Sequence, residues 1–343
     1  MKISITCDQF YWNDKLFSES LPENRDDCLM PFRDLRDYFS SRGHFIHTED
    51  IISPLDADIV IDVDPPSTRH IDARRGMSVL FAFESPIIRP GNYIESTTSR
   101  YWLVFSWNKS NNQNNTYQIP IPIVPRYPEK KIPNNRSKFA CLIAGNKTSE
   151  NQKELYSERI NVIRWFEKNA PQDFDLYGIG WDEGEDALPR LFRRGRVKRL
   201  LPKRIRFRGF PSFRGPVDSK SYIYSQYKYA FSYENCKDFP DYVTEKIFDP
   251  MYCGCIPIYK GAPNIEEYVP SNCFIDGNDF SSIRDLYSFL TKCDLNCIET
   301  YRRNIQVFLD SEWFKKLHSK NFAQRLGQVI LNSFTSYIRS AEL

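Results

Sequence analysis

The densest grouping of polar residues on segments that must be ordered runs from Tyr233-Glu234-Asn235 to Thr244-Glu245-Lys246. The first three close a run of apolar and aromatic residues that reads as a buried strand, and the last three open a helical pattern. A strand-loop-helix junction of this kind gathers free backbone N–H groups and the positive end of a helix dipole, which favours an anion. Thr244 and Lys246 are therefore candidates for phosphate, and Glu245 for the hydroxyls of a ribose or another sugar. The structural alternative is a first-turn Glu complementing the dipole and a Lys in a surface pair, worth roughly 0.3–1 kcal/mol. No GxGxxG and no GxxxxGK[ST] occurs, so side chains and helix N-termini must meet any phosphate. Asp62-Val-Asp64 has the letters of a metal-binding pair but falls in the other half of the chain, so no metal is expected.

The elements that must carry these residues are short β-branched runs separated by helical segments, the pattern of parallel sheets with crossover helices. In the first half KISIT, DIVIDV (58–63), SVLFAF (78–83) and WLVFSW (102–107) read as strands. The proline-rich passage Ile119 to Pro133 cannot sustain a helix and reads as a linker. The second half restarts the pattern. FACLIA (139–144), FDLYG (174–178), YKYAFSYEN (227–235) and CIPIY (255–259) read as strands. Helices are expected from about Glu150 to Lys168, over 241–253, at about 263–268 and 281–292, and from 295 nearly to the end. The fold class is thus α/β, with two Rossmann-like domains over 1–133 and 134–310, a helical tail over 311–343, and a ligand cleft at the carboxyl ends of the strands.

A chain of 343 residues is too long for one ordinary core and suits two domains. No run of about 18 apolar residues suggests a membrane-spanning helix. The opening MKISITCDQFYW reads as a first strand rather than a secretory signal. The nine cysteines lack CxxC spacing and read as reduced structural thiols, so a cytoplasmic setting is expected. The net charge of +3 does not imply nucleic acid, yet Arg190 to Arg214 holds eleven basic residues and no acidic one. That run reads either as a solvated loop or as a surface for anionic lipid headgroups or an anionic glycolipid at the inner membrane face.

The passage YKYAFSYENCKDFPDYVTEKIFDPMYCGCIPIYKGAP, Tyr227 to Pro263, closely resembles the signature of the α1,3/4-fucosyltransferases, glycosyltransferase family 10, in its bacterial form. RGPVDSK (214–220), YVPSNCFIDGNDFSSIRDLYSFL (268–290) and Phe83-Glu84-Ser85-Pro86 look like its flanking and N-terminal motifs. The similarity is strong over about 135–310 and faint over 78–107.

The resemblance implies the GT-B arrangement, two Rossmann-like domains across a cleft with GDP-fucose held by the second. It implies inverting transfer of L-fucose to an acceptor glycan or glycolipid, the 3-OH of GlcNAc being the family's commonest target, with no cofactor required. Glu84 matches the family's catalytic base, and Arg159 and Lys246 match the cations on the donor diphosphate. Glu245 matches a residue at the ribose or fucose, and Tyr242 and Asn235 match others lining the nucleotide site. Thr244 joins this donor set, and Glu234 orients the loop. Asn146, Tyr177 and Gly178 occupy loops where guanine or phosphate contacts are expected. Pro250 inside the helix, Lys260 in place of an apolar residue and the basic insert depart from the pattern. Two alternatives stand beside this reading: the same fold with another nucleotide-sugar donor, and a basic nucleic-acid-binding protein.

Overall fold

The computed structural model of the chain describes residues 1–21, 24–65, 77–108, 115–128, 136–182 and 209–341. Two wholly parallel sheets organise it. The first contains β1 (Lys2–Thr6), β2 (Phe45–Thr48), β3 (Ile59–Val63), β4 (Met77–Ala82), β5 (Leu103–Ser106) and β6 (Thr116–Gln118), in the order β2-β1-β3-β4-β5-β6. Helices α1 (Met30–Ser40) and α2 (Glu95–Thr98) belong to the same half. Strands β1, β3, β4 and β5 are buried almost throughout, as their continuous apolar runs require of a sheet covered on both faces.

The second sheet contains β7 (Lys138–Ile143), β8 (Phe174–Tyr177), β9 (Tyr227–Tyr233), β10 (Ile256–Lys260) and β11 (Ile275–Asp276), in the order β11-β10-β9-β7-β8. Its helices are α3 (Tyr156–Asn169), α4 (Lys220–Tyr224), α5 (Glu245–Tyr252), α6 (Ile283–Lys292), α7 (Leu295–Leu309) and α8 (Glu312–Lys315). The core beneath it is aromatic, with Phe166 stacked on Phe174 and edge-on to Phe231.

The last helix, α9 (Ser319–Ala341), crosses back to the first sheet instead of trailing behind the second. Phe322, Ala323, Leu326 and Ile330 are buried in the first core, and Phe322 meets Phe83 edge-on at 5.6 Å. Gly327 lets α9 lie close on α1, since a Cβ there would stand 2.3 Å from the Tyr38 ring. Both crossings between the halves run side by side: Ile123 donates to the Leu317 carbonyl and accepts from Ser319 N–H, each near 3 Å. Packing of 319–341 therefore belongs with the N-terminal half, although its sequence follows the second.

Several boundaries differ from those expected. The helix looked for from Glu150 begins at Tyr156, because the preceding residues pair with the strand exit of β9: Leu155 donates to Asn235 and Lys237 to Lys153. The helix looked for from residue 241 begins at Glu245, where the Thr244 hydroxyl caps it and Asp241 holds a left-handed φ of 70°. Pro250 sits in the last turn of α5 and leaves the first turn regular. The thiols are not all reduced: Cys293 and Cys297 form a disulfide at the α6–α7 junction, while Cys141, Cys253 and Cys255 are free and buried. Most of the basic run Arg190 to Arg214 lies outside the described residues. Of its end, Arg214 bonds Asp175 at 2.6 Å. No described helix is long and apolar enough to cross a membrane.

Candidate active site

The exit of β9 leads directly into the polar junction. Glu234 is fully buried and receives the Thr244 N–H at 2.8 Å and the Thr244 hydroxyl at 2.7 Å. It thereby fixes the residue that caps α5, an arrangement worth about 1 kcal/mol for the cap alone. Lys246 Nζ stands 3.3 Å from Glu234 and 3.8 Å from Glu245, and it donates to the Thr244 hydroxyl at 3.0 Å. Burial raises the Glu234 carboxyl above the ordinary range, only partly offset by Lys246. Burial also works against the Lys246 charge, but Glu245 and Glu234 outweigh it and hold the ammonium above the usual lysine range. Glu245 is held far below the usual carboxylate range: burial opposes this, and Lys246, Lys220 and Arg126 overcome it.

Arg159 projects from the first turn of α3 and is 3% exposed. One terminal nitrogen donates to the carbonyls of Tyr233 and Glu234 at 2.7 and 2.8 Å and to the Asn235 side chain at 3.1 Å. Its charge therefore lies under the strand exit, over the Tyr156 ring, and holds Asn235 in place. Asn146 and Gly178 meet as the loops after β7 and β8 zip together, with Asn146 N–H on Ile179 and its side chain on Gly180, both at 2.9 Å. Gly178 has φ 129°, and a Cβ there would fall 1.9 Å from the Ala144 carbonyl, so only glycine fits. Tyr177 is not in this company: its hydroxyl bonds Tyr227 at 2.9 Å within a Tyr227–Asp175–Lys138 network, a core role.

Across from these residues, Glu84 follows β4 on the other sheet. Its carbonyl accepts the Tyr93 hydroxyl at 2.5 Å, and the Phe83 carbonyl accepts the Trp107 indole at 3.2 Å. Tyr242, 2% exposed, packs on Trp107 with ring centroids 4.9 Å apart, which fastens the two halves at this point. The Glu84 charge is felt at Tyr156 and Tyr242 of the second half, each raised mainly by burial and further by Glu84. The carboxyl ends of β4 and β9 thus face each other, with Glu84, Tyr156, Arg159, Tyr242, Glu245 and Lys246 around the gap.

Sequence reasoning passed over several of these residues. Asp64 accepts the N–H groups of Phe83 and Glu84 and the side chain of Asn92. Its φ of 41° is left-handed, a strain of roughly 1–2 kcal/mol for an L-residue. Lys220 stands 3.8 Å from Glu245 and 2.9 Å from Asp249, and Arg126 from the interdomain passage pairs with Asp249 as well. The only local signals were the letters Asp62-Val-Asp64 and the final lysine of RGPVDSK. Among the described residues no group of three or more His, Cys, Asp or Glu is placed to hold a metal ion.

Comparison with known proteins finds a family match in the second half. Residues 207–326 match glycosyltransferase family 10 (fucosyltransferase), C-terminal part. Its second half thus carries a segment similar to the fucosyltransferases of glycosyltransferase family 10. Segments of it resemble GDP-fucose protein O-fucosyltransferase 3 of Xenopus laevis, 41% identical over 78 residues covering 22% of this chain and 16% of that protein. Others resemble the α-(1,3)-fucosyltransferase B of Drosophila melanogaster, 42% over 69 residues, 20% of this chain and 15% of that one, and the α-(1,4)-fucosyltransferase of Arabidopsis thaliana, 38% over 68 residues, 20% and 17%. Each alignment thus spans less than a fifth of the relative's length.

The whole fold has solved counterparts. An α1,3-fucosyltransferase with GDP-fucose superposes at a TM-score of 0.52, with 15% identity over 92% of this chain and 90% of that one. HepE of Anabaena with UDP-glucose reaches 0.59, with 12% identity over 97% and 100%. The two sheets are accordingly the two Rossmann-like halves of a GT-B fold.

Proposed function

We propose that the chain transfers L-fucose from GDP-fucose to a glycan hydroxyl, with inversion and with Glu84 as general base. The observation that carries this reading is the convergence of Glu84, from the first half, on the cationic junction of Lys246 and Arg159 in the second. In the step, the acceptor O–H gives its proton to the Glu84 carboxylate while its oxygen bonds the anomeric carbon of fucose. The bond from that carbon to the diphosphate oxygen breaks, and GDP departs with the electron pair. Negative charge grows on the diphosphate as it separates, and Lys246 supplies the fixed counter-charge next to it. Arg159 holds the Tyr233–Asn235 turn on which the nucleotide rests and adds its own positive field. Glu245, kept ionised by Lys220 and Lys246, accepts from ribose or fucose hydroxyls.

The acceptor is taken to be GlcNAc at its 3-OH, as in the family's commonest reaction. The similarity to protein O-fucosyltransferase 3 favours a second reading, in which a protein hydroxyl receives the fucose. Incubating the chain with GDP-fucose and a panel of glycans and folded protein domains, with products weighed by mass spectrometry, separates the two. UDP- and GDP-sugars offered in parallel test the donor, and preference for a sugar other than fucose would overturn the reading. Contact of Arg190 to Arg214 with an anionic membrane, and a cytoplasmic setting, remain parts of the proposal that vesicle co-sedimentation and fractionation test.

A further inference from the structure

Asp64 lies at the end of β3, beside the β4 exit, and its carboxylate collects three donors from the segment that carries Glu84. Oδ1 accepts Phe83 N–H at 3.0 Å, Glu84 N–H at 3.1 Å and Asn92 Nδ2 at 2.7 Å. Asn92 is 1% exposed, so this carboxylate fixes the segment from both of its ends. Tyr93 and Trp107 tie down the carbonyls of the same two residues. The peptide groups at Phe83 and Glu84 are thus held on both edges, by acceptor and by donors. A carboxylate held at left-handed φ beside a second carboxylate is costly on both counts.

We propose that Asp64 is the positioning residue of the site: its carboxylate fixes the backbone at Glu84, and its charge sustains the basicity of the Glu84 carboxylate toward the acceptor proton. The proposal rests on Glu84 being the base. Among the described residues, the charged and titratable groups facing Asp64 are Glu84, Arg89 and Tyr93, while Tyr156 and Tyr242 face Glu84 from the other half. Burial, reinforced by Glu84 and opposed by the amides and Arg89, pushes the Asp64 carboxyl up to about 7. Ionisation of Asp64 then falls near neutral pH, and turnover should rise with it.

The test uses the full chain as wild type, Asp64→Asn and Glu84→Gln, with kcat and KM for fucose transfer measured from pH 5 to 9, GDP affinity measured by titration calorimetry, and folding followed by thermal melting. Asparagine retains an oxygen for the amides but lacks the charge. The expected result is a folded Asp64→Asn chain with GDP affinity unchanged, kcat about ten- to a hundredfold lower, and no rise in rate near pH 7. Wild-type kcat and pH profile in Asp64→Asn, with Glu84→Gln inactive, would overturn the role of Asp64 alone. A lower rate with the wild-type pH profile would reduce Asp64 to a structural group and overturn it equally. Turnover persisting in Glu84→Gln would instead sink the reading of the base.

Discussion

Tyr242 of the second half rests its ring on Trp107 of the first, centroids 4.9 Å apart, and Trp107 in turn donates its indole N–H to the carbonyl next to Glu84. The polar junction of the second half and the proposed base therefore share one wall.

Trp107 is 1% exposed, and truncating it to Ala should cost about 3–5 kcal/mol of stability by opening a cavity between the halves. Trp107→Phe keeps most of the volume but loses the indole hydrogen bond. It should melt close to wild type and still turn over more slowly, because the Glu84 carbonyl segment loosens. Calorimetric melting together with kcat separates the two effects.

Lys246→Ala removes the cation from the proposed diphosphate position and should cost about 2–4 kcal/mol of transition-state stabilisation, read as a fall in kcat/KM. It also strands Glu234, which is fully buried and 3.3 Å from that ammonium. The double variant with Glu234→Gln should therefore recover stability without recovering turnover. Recovery of turnover in the double variant would show that Lys246 serves only Glu234.

How much of this was legible in the sequence depended on distance along the chain. The run Tyr227–Tyr233 is a local signal and stands nearly where the pattern puts it, whereas the helix expected from 241 starts only at Glu245. β2 and α1 lie outside the elements expected from sequence, although α1 carries buried Leu35 and Phe39 at helical spacing, because polar residues, Arg33, Asp34, Arg36 and Asp37, surround the short apolar stripe. The start of α3 was misjudged because the residues before it are claimed by Asn235 and Lys237, some 80 positions away. Asp64 was visible only as one letter of a pair. Its meaning comes from two neighbours about 20 residues on, whose amides reach it only once β3 and β4 lie side by side.

Gly178→Ala should destabilise the second half by about 1–3 kcal/mol or more, since φ 129° and the Ala144 carbonyl both exclude a side chain. The same change should pull apart the loops holding Asn146 and weaken GDP binding, measurable by calorimetric titration. Unaltered GDP affinity would remove Asn146 and Gly178 from the donor site.

Asp175 is held below the ordinary carboxylate range: burial opposes this, and the Tyr227 hydroxyl, Lys138 and Arg214 overcome it. A depressed folded value means that the unfolded chain binds the proton more tightly, so this stabilisation is present above roughly pH 4 and fades as pH falls further. Asp175→Asn should accordingly be less stable than wild type at pH 7, by about 1–3 kcal/mol. The gap should narrow toward pH 3 in urea unfolding, and a gap that widens on acidification would refute the network.

The most direct measurement of the central claim is Glu84→Gln assayed with GDP-fucose and a competent acceptor, alongside GDP binding to the same protein. The account predicts GDP affinity within about twofold of wild type and transfer slowed by roughly 10²–10⁴-fold, the contribution of a positioned base. Transfer at the wild-type rate, with GDP bound normally, would contradict it.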